Sequence, residues 1–151
     1  MMDLLLWRHA EAFDARFGED DLQRALTPRG QEQAARIGRW LNEVLPADAR
    51  VLASPAKRTQ QTVQALGRPF ETVPAVVSGA SAREVLEAAG WPRAGGTVLV
   101  VGHQPTLGRV AARLMCGSEQ YWHVPKASVW WLRAEGDEHA TLVAMRSPEH
   151  A

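Results

Sequence analysis

Residues 97–103 read TVLVVGH, and residues 3–9 read DLLLWRH. Both are short, continuous apolar runs rather than alternating ones, the pattern of a strand covered on both faces. Each run ends in a histidine, preceded by a glycine in one case and an arginine in the other. Strands buried on both faces belong to a mostly parallel sheet, and such sheets gather ligands at the carboxyl ends of their strands. An imidazole or a cation delivered there is placed where chemistry takes place.

The elements around these two strands alternate. After Leu4 to Trp7 comes a polar loop with acids from Glu19 to Asp21, then TPRGQEQAARIGRWLNEVL from Thr27. In that segment Thr27 can cap, Pro28 suits a first helical turn, Ala34, Ile37 and Leu41 share a face, and Pro46 ends the helix. Arg50 to Ala53 predicts a second strand, and Ser54-Pro55 predicts the start of a helix running to about Leu66, with Ser54 as its cap. Phe70 to Val73 predicts a third strand, and Ser81 to Ala89 a helix stopped by Gly90 and Pro92. A helix from about Pro105 to Met115 follows TVLVVGH, and strands at Ser128–Arg133 and Thr141–Met145 form a hairpin around Gly136. Strand and helix in alternation predict a three-layer α/β/α sandwich with a mostly parallel central sheet.

Composition narrows the partners. The 151 residues fit one domain, and 17 basic against 17 acidic side chains leave a formal net charge of zero. Nothing in that balance favours nucleic acid or an anionic membrane. The single cysteine, Cys116, excludes an internal disulfide framework and any CxxC motif, and it fits a reducing, cytoplasmic setting. A secretory leader is not legible, and no apolar run approaches the ~20 residues of a membrane span.

Three strand ends then share a chemistry. The first ends in Arg8-His9, the second in Ser54-Pro55 with Arg58 one helical turn on, and the third in Gly102-His103. If the three strands are parallel neighbours, two arginines and two histidines converge at one edge of the sheet. Arginine compensates the charge of a phosphoryl group bidentately, and helix N-termini add donors. Neutral imidazole, with an ordinary pKa of roughly 6.5, is a competent nucleophile, and a second histidine, charged when phosphate is present, can donate to phosphoryl oxygens.

The order RHA (8–10), LTPRG (26–30), SPAKRTQQT (54–62) and VVGHQPTL (100–107) resembles the histidine phosphatase superfamily, the phosphoglycerate mutase-like fold. Within it the short chain and motif spacing are most similar to the SixA-type phosphohistidine phosphatases. The resemblance implies that His9 is a nucleophile that becomes transiently phosphorylated, with Arg8, Arg58 and His103 completing the phosphate pocket. It implies no metal and no organic cofactor, and a phosphorylated protein or small phosphorylated compound as substrate. Arg24 sits where the family's loop approaches the pocket, so it is a substrate contact or else a surface ion pair with the nearby acids.

Two positions depart from the family pattern. Ala10 stands where the family usually has glycine, and an added methyl there is expected to constrain the backbone beside the phosphate. Many branches also carry a glutamate between the second arginine and the second histidine to protonate the leaving oxygen, whereas the comparable TVPAVVSGA (72–80) holds no acid. Glu11 is a substitute acid or a solvated loop carboxylate. An acid-poor site suits phosphohistidine better than an alkyl phosphate; the alternatives are a metal-independent phosphomonoesterase on a small metabolite and a phosphohistidine-binding module.

Other residues carry less. Glu71, Glu84, Glu87, His123, His139 and His150 read as surface groups, Gln61 and Thr62 as anchors of their helix, and Lys126 as a residue bordering the cleft. Trp130 and Trp131, adjacent on a strand, point to opposite faces.

Overall fold

A computed structural model describes residues 1–151. The strands are β1 (Met2–Arg8), β2 (Arg50–Ala53), β3 (Glu71–Thr72), β4 (Gly96–Gly102), β5 (Val129–Glu135) and β6 (His139–Arg146). The helices are α1 (Pro28–Val44), α2 (Lys57–Gln64), α3 (Ala82–Ala89) and α4 (Thr106–Cys116), with single 3-10 turns at Asp21–Gln23, Pro74–Val76 and Pro148–His150.

All six strands form one sheet in the order β3-β2-β4-β1-β5-β6. β3, β2, β4 and β1 run parallel, while β5 and β6 are antiparallel to their neighbours, so the sheet is mixed with a parallel majority. The continuous apolar runs are explained by position, since β1 and β4 lie in the interior of the sheet and both their faces are covered. Leu4 and Leu6 of β1 pack with Val98 and Val100 against Val85 and Leu86 of α3 and Leu107, Val110 and Leu114 of α4. Leu5 and Trp7 point the other way and pack with Leu99 and Val101 against Ile37 and Leu41 of α1 and Val63 of α2. Two helices on each face complete the α/β/α sandwich.

Capping fixes where helices begin. Thr27 Oγ1 accepts from the Gly30 N–H at 2.9 Å, and Pro28 occupies the first turn of α1. Ser81 and Glu84 form a reciprocal capping box on α3. Gly30 has a further reason to be glycine, because a Cβ there would run into the Glu11 carbonyl, where the loop after β1 lies against α1.

Two expectations are corrected. α2 begins at Lys57 rather than at Ser54-Pro55, with Ala56 at the cap position, and the Ser54 hydroxyl turns to other partners. The third strand is a two-residue edge, Glu71–Thr72, in place of Phe70–Val73. Val73 still donates its N–H to the Ala53 carbonyl at 2.9 Å, and Pro74 opens a 3-10 turn directly after it, which ends the strand.

Register decides what meets at the sheet's edge. Arg8 lies opposite Gly102, and Ala53 opposite Val101. His9, Ser54 and His103 therefore leave three adjacent strands at one level.

Candidate active site

The strand ends open into a pocket of about 320 Å³ that Arg8, His9, Arg58 and His103 line together, as the sequence predicts. Arg24 and Lys126 line it as well. So do Asp14 and Asp21, two carboxylates whose presence in the pocket the sequence reading missed.

His9 is held from every side. Its N–H donates to the Gly102 carbonyl and its carbonyl accepts from the Ala127 N–H, each at 3.1 Å. The next residue's N–H, that of Ala10, donates to Thr62 Oγ1 at 3.0 Å, and Thr62 in turn donates to the Arg58 carbonyl at 2.7 Å. Thr62 thus ties α2 to the loop after β1, while Gln61 Oε1 accepts from Leu26 N–H at 2.7 Å. His9 Nδ1 lies 2.8 Å from the Ala10 carbonyl, which can only accept, so Nδ1 carries the proton and Nε2 keeps its lone pair. Burial pushes the His9 pKa down to about 3, against the Ala10 hydrogen bond that favours the cation and together with His103, Arg58 and Arg8, which oppose it. The ring is thus neutral, with the Nε2 lone pair free.

Ala127 holds His9 at some cost. It is the one non-glycine residue with positive φ, at 63°, and it is fully buried. Its N–H supports His9 and its carbonyl accepts from Trp7 Nε1 at 2.9 Å. The methyl of Ala10 packs with Leu26, Ala34 and Ala127, and Ala10 has no positive φ. The expected backbone constraint from this methyl is therefore corrected: it fills a small apolar cluster.

His103 faces His9 with ring centroids 5.4 Å apart. Burial, with Arg58, pushes its pKa down to about 4, although Asp21 favours the cation. Its Nε2 lies 2.7 Å from Ser54 Oγ, and its Nδ1 is buried without a protein partner. The same is true of Arg8 Nε and Arg58 Nε. Buried polar atoms normally find a partner in the fold, and three of the residues that line this one pocket each carry a nitrogen that does not, which points to an acceptor-rich group. A tetrahedral oxyanion supplies that many acceptors.

The two arginines are anchored by their other nitrogens. Arg8 Nη1 donates to the Val124 carbonyl at 3.1 Å. Arg58, 2% exposed, donates Nη1 to the Asp21 carbonyl at 2.9 Å and Nη2 to Asp21 Oδ2 at 3.0 Å. Burial lowers both guanidinium pKa values, aided at Arg8 by the charge of Arg58 and at Arg58 opposed by Asp21 and aided by Arg24, yet arginine remains charged.

Arg24 forms the ion pair weighed for it while also reaching the pocket wall. It pairs with Asp21, Nε to Oδ1 at 2.9 Å, donates Nη1 to the Phe13 carbonyl at 3.0 Å, and lines the pocket. Partial burial raises the Asp21 pKa, but Arg58 and Arg24 outweigh that and hold it below the usual carboxylate range. Asp21 is thus ionised at neutral pH and has no proton to give.

Glu11 turns away from the pocket. Its Oε2 accepts from Thr27 Oγ1 at 2.7 Å and its Oε1 lies 3.9 Å from Arg29, so the carboxylate belongs to the start of α1. Glu84 serves its capping box and Glu87 pairs with Arg83 at 2.8 Å, while Glu71 lies exposed on β3. Trp130 and Trp131 are half-buried on opposite faces of the sheet. The one signal for the missed Asp21 was its spacing of three from Arg24 in the loop before LTPRG.

This sheet, with two histidines and two arginines at the carboxyl edge of its central strands, defines an α/β protein of the phosphoglycerate mutase-like fold. Residues 4–85, more than half of the chain, match the profile of the histidine phosphatase superfamily (branch 1), and the chain belongs to that superfamily. A protein of Mycobacterium tuberculosis (strain ATCC 25618 / H37Rv) is 39% identical over 102 residues, which is 62% of this chain and 61% of that protein's length. Among solved structures, a candidate SixA phosphohistidine phosphatase from Nakamurella multipartitia is 30% identical with a TM-score of 0.81, covering 97% of this chain and 96% of its own. The protein histidine phosphatase SixA in complex with tungstate is 25% identical with a TM-score of 0.82, covering 97% of both chains.

Proposed function

We propose that this chain is a phosphatase that hydrolyses the P–N bond of phosphohistidine, in a protein or in a related small phosphoramidate, through a phosphorylated His9. The observation that carries phosphoryl transfer is the set of three unpartnered buried nitrogens, Arg8 Nε, Arg58 Nε and His103 Nδ1, on residues that share a pocket with the neutral ring of His9. A relative that holds tungstate, itself a tetrahedral oxyanion, supports the same assignment.

In the first step His9 Nε2 attacks phosphorus and the substrate's P–N bond breaks. The second ring nitrogen of the substrate can take a proton from solvent, so the leaving group departs as neutral imidazole without a proton from the enzyme. Arg8, Arg58 and His103 compensate charge on the oxygens that do not leave. In the second step water attacks phosphorus, the bond to Nε2 breaks, inorganic phosphate departs and the neutral ring is restored. Arg24 and Lys126, on the pocket wall, are suited to the substrate's further polar groups.

The substrate class rests on the proton inventory. An alkoxide leaving group gains about 10² to 10⁴ from general acid catalysis. Here Glu11 points elsewhere, Asp21 is held ionised by two arginines, and the segment between Arg58 and His103 adds no carboxylate to the pocket, which leaves Asp14 as the one other carboxylate of its wall. Asp14→Asn is expected to leave P–N hydrolysis unchanged, and a loss of rate there would make Asp14 the acid.

The test compares a phosphohistidine peptide, phosphoramidate and an alkyl phosphate under single-turnover conditions, with mass spectrometry after an acid-avoiding quench. Preference for the two P–N substrates and an acid-labile adduct on His9 are expected. A marked preference for the alkyl ester makes the protein a phosphomonoesterase, and tight binding with neither adduct nor release makes it a binding module.

A further inference from the structure

We propose that Ser54 sets the tautomer of His103, its hydroxyl donating to Nε2 so that the uncharged ring carries its proton on Nδ1 and offers it to the bound ligand. The catalytic consequence rests on the phosphatase function proposed above. The tautomer itself rests on geometry alone.

The inference follows from counting donors and acceptors. Ser54 has no exposure to solvent, so its hydroxyl hydrogen must find an acceptor within the protein or go unpaired. Its Oγ has two partners. The Ala56 N–H, 3.2 Å away, can only donate, and therefore uses one oxygen lone pair. His103 Nε2, at 2.7 Å, is the sole remaining partner. If Nε2 carried a hydrogen, Ser54 would accept twice and bury an unsatisfied O–H. The Nδ1 lone pair would go unused as well, since Nδ1 has no protein partner; with Nε2 as acceptor Ser54 is satisfied in full and the Nδ1–H alone is left for a ligand.

The alternative of an imidazolium fails on the same count, because it too places a hydrogen on Nε2. It also sets a further cation among Arg8, Arg24 and Arg58 in a pocket whose carboxylates are Asp14 and Asp21, the latter already committed to two of those arginines. His103 is thus a neutral donor in this structure. Ser54 is a positioning residue, placed for this by its register beside His103 at the end of β2.

The polarity of the pair has a mechanistic meaning: it makes Nδ1, the ring nitrogen without a protein partner, a donor rather than an acceptor, and a donor is what an oxyanion in the pocket calls for. α2 starts at Lys57, and the Ser54 oxygen accepts from the Ala56 N–H just before it while its O–H is left for His103.

The experiment is two-dimensional ¹H–¹⁵N spectroscopy of the full chain labelled at histidine nitrogens, with His103→Gln used to assign the signal. In the wild type, at neutral pH, His103 is expected to show a protonated Nδ1 and an unprotonated Nε2. In Ser54→Ala the pattern is expected to become a mixture of tautomers, and kcat to fall about tenfold with little change in KM. A wild-type spectrum with the hydrogen on Nε2 overturns the proposal, as does an unchanged tautomer in Ser54→Ala. If Ser54→Ala does not fold, the wild-type spectrum alone decides. Failure of P–N hydrolysis alongside the expected spectrum overturns the proposed function and leaves this assignment standing.

Discussion

Asp21 grips Arg58 twice, with its carbonyl at 2.9 Å from Nη1 and its carboxylate at 3.0 Å from Nη2, and so leaves the Nε–H edge of the guanidinium turned to other use. The grip orients Arg58, but it also puts a negative charge beside the place where an oxyanion would sit.

Removing that charge while keeping an acceptor is therefore expected to tighten anion binding. For Asp21→Asn, an effective dielectric near 20 and a separation of several ångströms give a change of about 1–2 kcal/mol, or roughly 5- to 30-fold in the inhibition constant of phosphate. Asp21→Ala, which frees Arg58, is expected to lower kcat instead. Phosphate inhibition measured for both variants checks this, and weaker binding in Asp21→Asn would show that orientation outweighs charge.

His9→Ala is expected to abolish turnover with the fold intact. Arg58→Lys is expected to lose about 10²-fold or more in kcat, because an ammonium has neither the fork held by Asp21 nor an Nε–H edge. Circular dichroism for folding and a rate for each variant decide the matter; undiminished activity in His9→Ala rejects the nucleophile.

The two buried histidines make stability depend on pH. Their folded pKa values, about 3 for His9 and about 4 for His103, lie below the roughly 6.5 of an unfolded histidine. Between those limits the unfolded chain binds more protons, so stability rises with pH. Their contribution is full above roughly pH 6.5 and is lost progressively as pH falls toward 4 and then 3. Urea unfolding midpoints should fall from pH 7 to pH 5, and the His9 and His103 ring signals should not titrate in that interval. Titration of either ring near 6.5 would contradict the neutral state assigned to it.

Gly30→Ala is expected to destabilise the fold by about 2–4 kcal/mol, since its Cβ would meet the Glu11 carbonyl and force apart α1 and the loop that carries His9 and Ala10. A matching drop in kcat is expected because the same loop fixes the nucleophile. Denaturant unfolding with parallel kinetics tests both, and a shift within about 0.5 kcal/mol would mean that the loop relaxes freely.

Ala10→Gly, although it restores the residue usual in the family, is expected to cost about 1 kcal/mol and bring no gain in rate. The methyl lies fully buried among Leu26, Ala34 and Ala127, and no backbone torsion at this position calls for glycine. Faster turnover in the glycine variant would restore the view that the methyl hinders the phosphate.

Sequence alone determined what local pattern can encode. Continuous apolar runs in β1 and β4 marked doubly covered strands, Thr27 and Ser81 marked helix starts, and the ordered motifs placed Arg8, His9, Arg58 and His103 at strand ends. Each of these signals lies within a few residues of itself along the chain. The partners chosen across the fold were decided by tertiary structure. Arg58 meets Asp21 across a separation of 37 residues, and His103 meets Ser54 across 49. Those pairings depend on the parallel register of β1, β4 and β2 and on how the loop before α1 folds over the pocket. For the same reason Glu11, two residues from the nucleophile in sequence, belongs in space to the start of α1. Side-chain direction at a loop is set by the hydrogen bonds that distant segments offer, and no local periodicity records it.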